Sequence, residues 1–140
     1  MHISRRNLIA TGSSALALGV ITGVPAHASL VDEHTNAFTG GADMATGVIE
    51  LDAPEIAENG NTVPISVSAP GAASIMLLAA GNPVPAVATF NFGPLSAARA
   101  GSTRIRLAKS QDVIAIAKME DGTFQAAQAT VKVTIGGCGG

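Results

Sequence analysis

The sequence predicts an all-β fold, an immunoglobulin-like antiparallel β-sandwich of about seven strands with a short N-terminal helix and a flexible Gly-rich C-terminal arm. Three observations predict it. Apolar and polar residues alternate through several short runs after residue 48. Turn residues interrupt those runs about every ten positions. Downstream of residue 38 there is no long amphipathic helix, and only residues 31–38 read as helical, with Asp32 and Glu33 near the start.

The elements follow in order. Val48-Ile49-Glu50-Leu51, ahead of Pro54, is a short strand, and Asn59-Gly60-Asn61 turns the chain into the next. Residues 62–69 alternate, with Val63, Ile65 and Val67 on one face and Pro64, Ser66 and Ser68 on the other. Pro64 lacks an N–H and marks this strand as edge-like or bulged. Residues 74–80 are apolar on both faces, the pattern of a central strand, and stop at Gly81-Asn82-Pro83. Residues 86–92 place Ala88, Phe90 and Phe92 together. Residues 103–108 turn Ile105 and Leu107 inward and Arg104 and Arg106 outward. Residues 113–119 and 123–135 flank Asp121-Gly122, a dipeptide suited to the positive φ angles of a tight hairpin turn. In the last strand Ala127, Ala129, Val131, Val133 and Ile135 face one way, and Gln128, Thr130, Lys132 and Thr134 the other.

That strand runs into Gly136-Gly137-Cys138-Gly139-Gly140, which holds the single cysteine of the chain. Glycine adopts φ of either sign, so Gly136, Gly137, Gly139 and Gly140 leave the thiol without a fixed direction. An extended tail carries Cys138 roughly 10 Å beyond a body ending at Ile135. The sequence thus divides into an export segment (1–28), a sandwich domain (29–135) and a Gly-Gly-Cys-Gly-Gly arm (136–140). The export segment has three parts: the adjacent Arg5 and Arg6, a moderately apolar run to Val24, and Ala26-His27-Ala28. The arginine pair resembles the twin-arginine export consensus, and the small-x-small rule puts cleavage between Ala28 and Ser29. The apolar run is at the short limit for a membrane span and is diluted by Thr11, Gly12, Ser13 and Ser14, so stable membrane association is not expected. Export by this route delivers a folded protein to the periplasm.

Loss of Arg5 and Arg6 leaves six basic and ten acidic residues, taking the formal charge from −2 to about −4. Nucleic acid is therefore not an expected partner. Arg99, Arg104 and Arg106 form the densest cationic group; together with the Asn59-Gly60 region, the strand carrying Arg104 and Arg106 is a candidate contact surface. The chain has no Trp and no Tyr, and only His34 remains of three histidines once His2 and His27 are removed. General acids and bases are scarce, and His34 with Cys138 makes no metal ligand cluster, so neither a metal nor another cofactor is expected.

The twin-arginine signal, the stretch Pro54-Glu55-Ile56-Ala57-Glu58-Asn59-Gly60-Asn61-Thr62-Val63-Pro64-Ile65 and the terminal Gly-Gly-Cys-Gly-Gly together resemble SoxY, the sulfur-carrier family of the bacterial thiosulfate-oxidising (Sox) system. The likeness runs over essentially the whole chain after residue 28. It implies a non-enzymatic periplasmic carrier, paired as a heterodimer with a second β-sandwich subunit, SoxZ, and holding its substrate covalently at Cys138. It also implies transient contacts with three enzymes. The cytochrome SoxXA joins thiosulfate oxidatively to the thiol, the hydrolase SoxB releases sulfate, and the dehydrogenase SoxCD, where present, oxidises the remaining sulfane sulfur.

The residues agree with a carrier. A thiol bonds to sulfur reversibly, and a side-chain-free arm enters narrow sites that a strand cannot. No cation adjoins Cys138 in sequence, so its reactivity is expected to be ordinary, with activation supplied by the enzyme pocket. Three other readings compete. A ubiquitin-like carrier would use a Gly140 thiocarboxylate, but such proteins work in the cytoplasm. A secreted β-sandwich interaction module would use Cys138 only for an intermolecular disulfide. A thiol enzyme would need a base held beside the nucleophile, which this tail does not supply.

Overall fold

The computed structural model describes residues 26–134. Arg5, Arg6 and the rest of residues 1–25 lie outside the described residues, as do Ile135 and the arm from Gly136 to Gly140. The described chain is a two-layer β-sandwich with one helix. Its strands are β1 (Met44–Ala45), β2 (Glu50–Asp52), β3 (Ile56–Ala57), β4 (Val63–Ser68) and β5 (Ala72–Ala79), then β6 (Ala86–Asn91), β7 (Ala100–Ile105), β8 (Gln111–Met119) and β9 (Phe124–Val133). The helix α1 is Ala26–Thr39.

The smaller sheet has the order β2-β4-β7, and the larger runs β1-β9-β8-β5-β6, with β3 also pairing with β9. Nine strands replace the expected seven because β1 and β3, two residues each, pair parallel with opposite ends of β9. Two residues carry too little alternation to be read from a sequence.

The core forms between the facing sheets. Val63, Ile65 and Val67 of β4, with Ile105 and Leu107, pack against Ile75, Leu77, Val113, Ala115 and Val131 of the larger sheet. The alternation of residues 62–69 and the inward Ile105 and Leu107 are therefore as the sequence predicts. Pro64 is different: β4 is the middle strand of its sheet. It is tolerated because β2 pairs only as far as Asp52↔Ser66, so no β2 residue lies opposite Pro64.

β5 is buried on both faces because each has its own cover. One face meets the smaller sheet; on the other, Met76, Leu78, Ile116 and Phe124 pack under Val31 and Phe38 of α1. Phe38 and Phe124 meet edge to face, with centroids 6.0 Å apart. The helix extends beyond the expected residues 31–38 through Ala26 and Ala28, strong helix formers, so Asp32 and Glu33 fall in its second turn. It stops where Gly40 takes φ 66° and donates its N–H to the Asn36 carbonyl at 2.7 Å.

The β8–β9 turn departs from the expected geometry. Only Gly122 has positive φ, 87°, and its N–H bonds the Met119 carbonyl at 3.0 Å. Asp121 keeps an ordinary φ and serves instead as an acceptor for the Thr123 hydroxyl at 2.6 Å and the Thr123 N–H at 2.9 Å. Those bonds hold its carboxyl below the usual carboxylate range. Since the folded value is the lowered one, the stabilisation is present above the unfolded carboxylate range and fades as pH falls through the folded value.

On the open side of the sandwich, the Phe90 ring of β6 lies over Gly101 of β7. A Cβ at Gly101 would stand 2.6 Å from that ring. Gly101→Ala is expected to lower stability by about 1–3 kcal/mol through overpacking, read as a reduced denaturant midpoint with an unchanged slope.

Candidate functional site

The end of β9 is the base from which the cysteine arm leaves, and it is held on both sides. On one side β3 runs parallel to it, with Ile56 opposite Lys132 and Ala57 opposite Val133. The Lys132 N–H donates to the Glu55 carbonyl at 2.9 Å, and the Thr134 N–H to the Ala57 carbonyl at 3.0 Å. The Thr134 hydroxyl adds a bond to the Glu58 carbonyl at 3.3 Å. On the other side the Ser110 hydroxyl accepts the Val133 N–H at 2.8 Å and donates to the Val133 carbonyl at 3.3 Å.

Ser110 is itself placed by a polar network at this end of the sandwich. Asn82, only 7% exposed, donates from Nδ2 to the Arg106 carbonyl at 2.7 Å. Its Oδ1 accepts the Ala108 N–H at 3.0 Å and Gln111 Nε2 at 2.9 Å. Gln111 Nε2 also donates to the Lys109 carbonyl, and its Oε1 accepts the Gly81 N–H, both at 2.9 Å. The β5–β6 turn, the β7–β8 connection and the start of β8 thus form one bonded unit. Leu107 N–H to the Gly60 carbonyl, 2.8 Å, brings in the Asn59-Gly60 turn.

Consequently the two surfaces singled out in the sequence, the Asn59-Gly60 region and the Arg106 strand end, are one surface beside the arm base. Arg104 and Arg106 both point outward and are exposed. Arg99 does not join them. It pairs with Glu120 at 2.8 Å and lies 5.9 Å from the Phe92 ring centroid, on the side of the β8–β9 turn. His34 is half-buried on α1.

Cys138 and its glycines lie outside the described residues, so the geometry on the page is that of their anchor. Ala28 and Ser29 fall within α1. The clamp residues Ser110, Asn82 and Gln111 and the strand β3 were not predicted. Each acts on a segment distant in sequence, Ser110 on Val133 and Asn82 on Arg106, and local alternation carries no signal for such pairs. Among the described residues there is no group of three or more His, Cys, Asp or Glu able to hold a metal ion, and no helix long and apolar enough to cross a membrane.

Comparison with known proteins bears on the whole of this arrangement. The family model "Sulfur oxidation protein SoxY" matches residues 35–138, a span that ends on Cys138. The solved structure of the sulfur carrier protein SoxY from Chlorobium limicola f thiosulfatophilum is 35% identical; the alignment covers 77% of this chain and 99% of that one, with a TM-score of 0.67. The superoxide reductase neelaredoxin from Ignicoccus hospitalis is 18% identical over 64% of this chain and 94% of its own, with a TM-score of 0.57, a likeness of fold alone. Comparison with curated proteins gave no match. With a family model spanning most of its length and a solved relative covered almost end to end, this chain belongs to the SoxY family.

Proposed function

We propose that this protein is an exported, periplasmic sulfur carrier that holds thiosulfate-derived intermediates on the Cys138 thiol and presents them to the Sox enzymes. The observation that carries the reading is the match through Cys138, the sole cysteine, joined to a clamped strand end only four residues earlier. Four extended residues span about 14 Å, so Thr134 stays with the body while Cys138 reaches into a cleft.

The chemistry balances with the thiol as platform. Loading joins the Cys138 sulfur to the sulfane sulfur of thiosulfate; the thiol proton is released and two electrons pass to a haem acceptor of the SoxXA type. Hydrolysis of the terminal sulfone then adds one water, releases sulfate and two protons, and leaves a persulfide anion on Cys138. A dehydrogenase of the SoxCD type, where present, oxidises that sulfur. None of these steps requires a base or metal from this chain, so the protein acts as covalent substrate rather than enzyme. SoxZ is the stable partner in this reading, and the arm's fixed exit is what lets several enzymes meet the same thiol in turn.

Sulfur-labelled thiosulfate, supplied with SoxXA and an electron acceptor, is expected to label the protein in a form that reductant removes. Prior alkylation of Cys138 is expected to prevent the labelling. Label retained after alkylation contradicts the assignment.

A further inference from the structure

The turn between β3 and β4, beside the arm base, carries reactive chemistry of its own. Asn59 is exposed in that turn and is the only asparagine of the chain that precedes a glycine. A side-chain amide in that position is open to attack by the next backbone nitrogen, because glycine has no Cβ to hinder the approach and its backbone reaches the angles required. The other asparagines among the described residues are poorly placed for this. Asn36 lies within α1, Asn61 precedes the β-branched Thr62, Asn82 precedes Pro83, which has no N–H, and Asn91 ends β6 ahead of Phe92.

Local bonding favours the reaction. The Asn61 N–H donates to Asn59 Oδ1 at 3.0 Å, so the carbonyl under attack already has a donor for the negative charge it gathers. Among the described residues the Gly60 N–H donates to no acceptor, which leaves its nitrogen free. The turn is loosely closed, with the Thr62 N–H bonded to the Asn59 carbonyl at 3.4 Å, beyond the usual range. Asp121-Gly122 is the contrasting case in the same molecule. There the Gly122 N–H is held by the Met119 carbonyl at 3.0 Å, and the Asp121 carboxyl, kept ionised by its two bonds from Thr123, is a poor electrophile.

We propose that Asn59 is a site of spontaneous covalent modification, deamidating through the Gly60 nitrogen, and that the product loosens the β3 side of the arm base. The Gly60 nitrogen bonds to Asn59 Cγ and gives up its proton, the bond from Cγ to Nδ2 breaks, and the amide leaves with that proton as ammonia. A succinimide ring remains. Water opens it at either carbonyl, leaving aspartate or isoaspartate at position 59 with no change of oxidation state. Isoaspartate routes the main chain through the former side chain and lengthens it by a methylene. That insertion falls between two fixed points, the Gly60 carbonyl on the Leu107 N–H at 2.8 Å and the Ala57 carbonyl on the Thr134 N–H at 3.0 Å. The new carboxylate also adds like charge near the exposed Glu55 and Glu58. The β3 bonds to Lys132 and Thr134 therefore weaken, whereas Ser110, on the opposite side of β9, keeps Val133. The inference rests on chemistry within the chain and is independent of the carrier reading.

Ageing the protein at mildly alkaline pH, with the Cys138 thiol kept reduced, tests this, followed by peptide mapping that separates aspartate from isoaspartate. Conversion is expected to be at least about tenfold faster at Asn59 than at Asn61 or Asn91, with isoaspartate the larger product. The Asp121 peptide is expected to stay unchanged over the same period. Hydrogen exchange in the aged protein is expected to quicken at least about threefold at the Lys132 and Thr134 amides and to stay the same at Val133. Asn59→Ser, whose hydroxyl can accept the Asn61 N–H in place of Oδ1, is expected to show the thermal melt of the fresh parent and neither the conversion nor the change in exchange. The proposal is overturned by an Asn59 that persists as long as Asn61, or by isoaspartate gathering at Asp121 as fast as at position 59. Thr134 exchange that matches the fresh protein, a quickening that includes Val133 equally, or an Asn59→Ser protein whose exchange changes as the parent's does overturns it as well.

Discussion

Cys138→Ser is expected to abolish thiosulfate oxidation in a reconstituted Sox system, a loss of more than about a thousandfold, because no other group in this chain forms a reversible bond to sulfur. A hydroxyl oxygen in the same place neither makes nor exchanges a sulfur–sulfur bond. The fold is expected to be unaffected, since the core and the clamp described above are built from residues upstream of the arm. Rate and thermal stability measured on one preparation separate the possibilities. If Cys138 only linked two copies, the variant would lose the covalent dimer and keep its rate.

Asn82→Ala is expected to have the largest effect on stability of any single polar change. It removes three hydrogen bonds at a nearly buried site and leaves the Arg106 carbonyl and the Ala108 N–H without the partners they have now. Gln111 loses one of two acceptors for its Nε2. A loss of about 2–4 kcal/mol is expected, read as a lower denaturant midpoint. The same network holds the β7–β8 connection that carries Ser110 against Val133, so amide exchange at Val133 and Thr134 is expected to quicken as well. Unchanged exchange at those two amides would show that the network braces the sandwich end without positioning the arm.

The parts of this fold that were legible in the sequence are those whose physics is local. Alternation through Val63, Ile65 and Val67 showed the inward face of β4, and the apolar run from Ile75 to Ala79 in β5 showed that both its faces are covered. What covers the second face was less evident, because α1 contributes chiefly Val31 and Phe38, spaced seven apart with five polar residues and Ala37 between them. Asp121-Gly122 located the hairpin, but the dipeptide alone does not distinguish a turn with two positive φ angles from one with a single αL glycine, as here. Pro64 misled because its rule depends on which neighbour lies opposite, and the shortness of β2 is a tertiary fact.

The site divides in the same way. The thiol proposed to carry the sulfur was singled out from composition alone, there being one cysteine in the chain and four glycines around it. Its anchor was not. The hydroxyl of Ser110 and the backbone of Glu55, Ala57 and Glu58 hold Lys132, Val133 and Thr134 from segments up to 77 residues away. A serine in a connecting segment carries no mark of the strand it will bind.

The carrier account rests on a sulfur–sulfur bond at one residue, and the most direct measurement is the intact mass of the protein purified from cells oxidising thiosulfate, followed by peptide mapping. The expected result is a mixture of masses heavier than the bare chain by sulfur or thiosulfate units. These should map to the Cys138 peptide and vanish on treatment with reductant. A chain bearing no such addition, or one whose addition maps to the Gly140 carboxylate, would contradict the account.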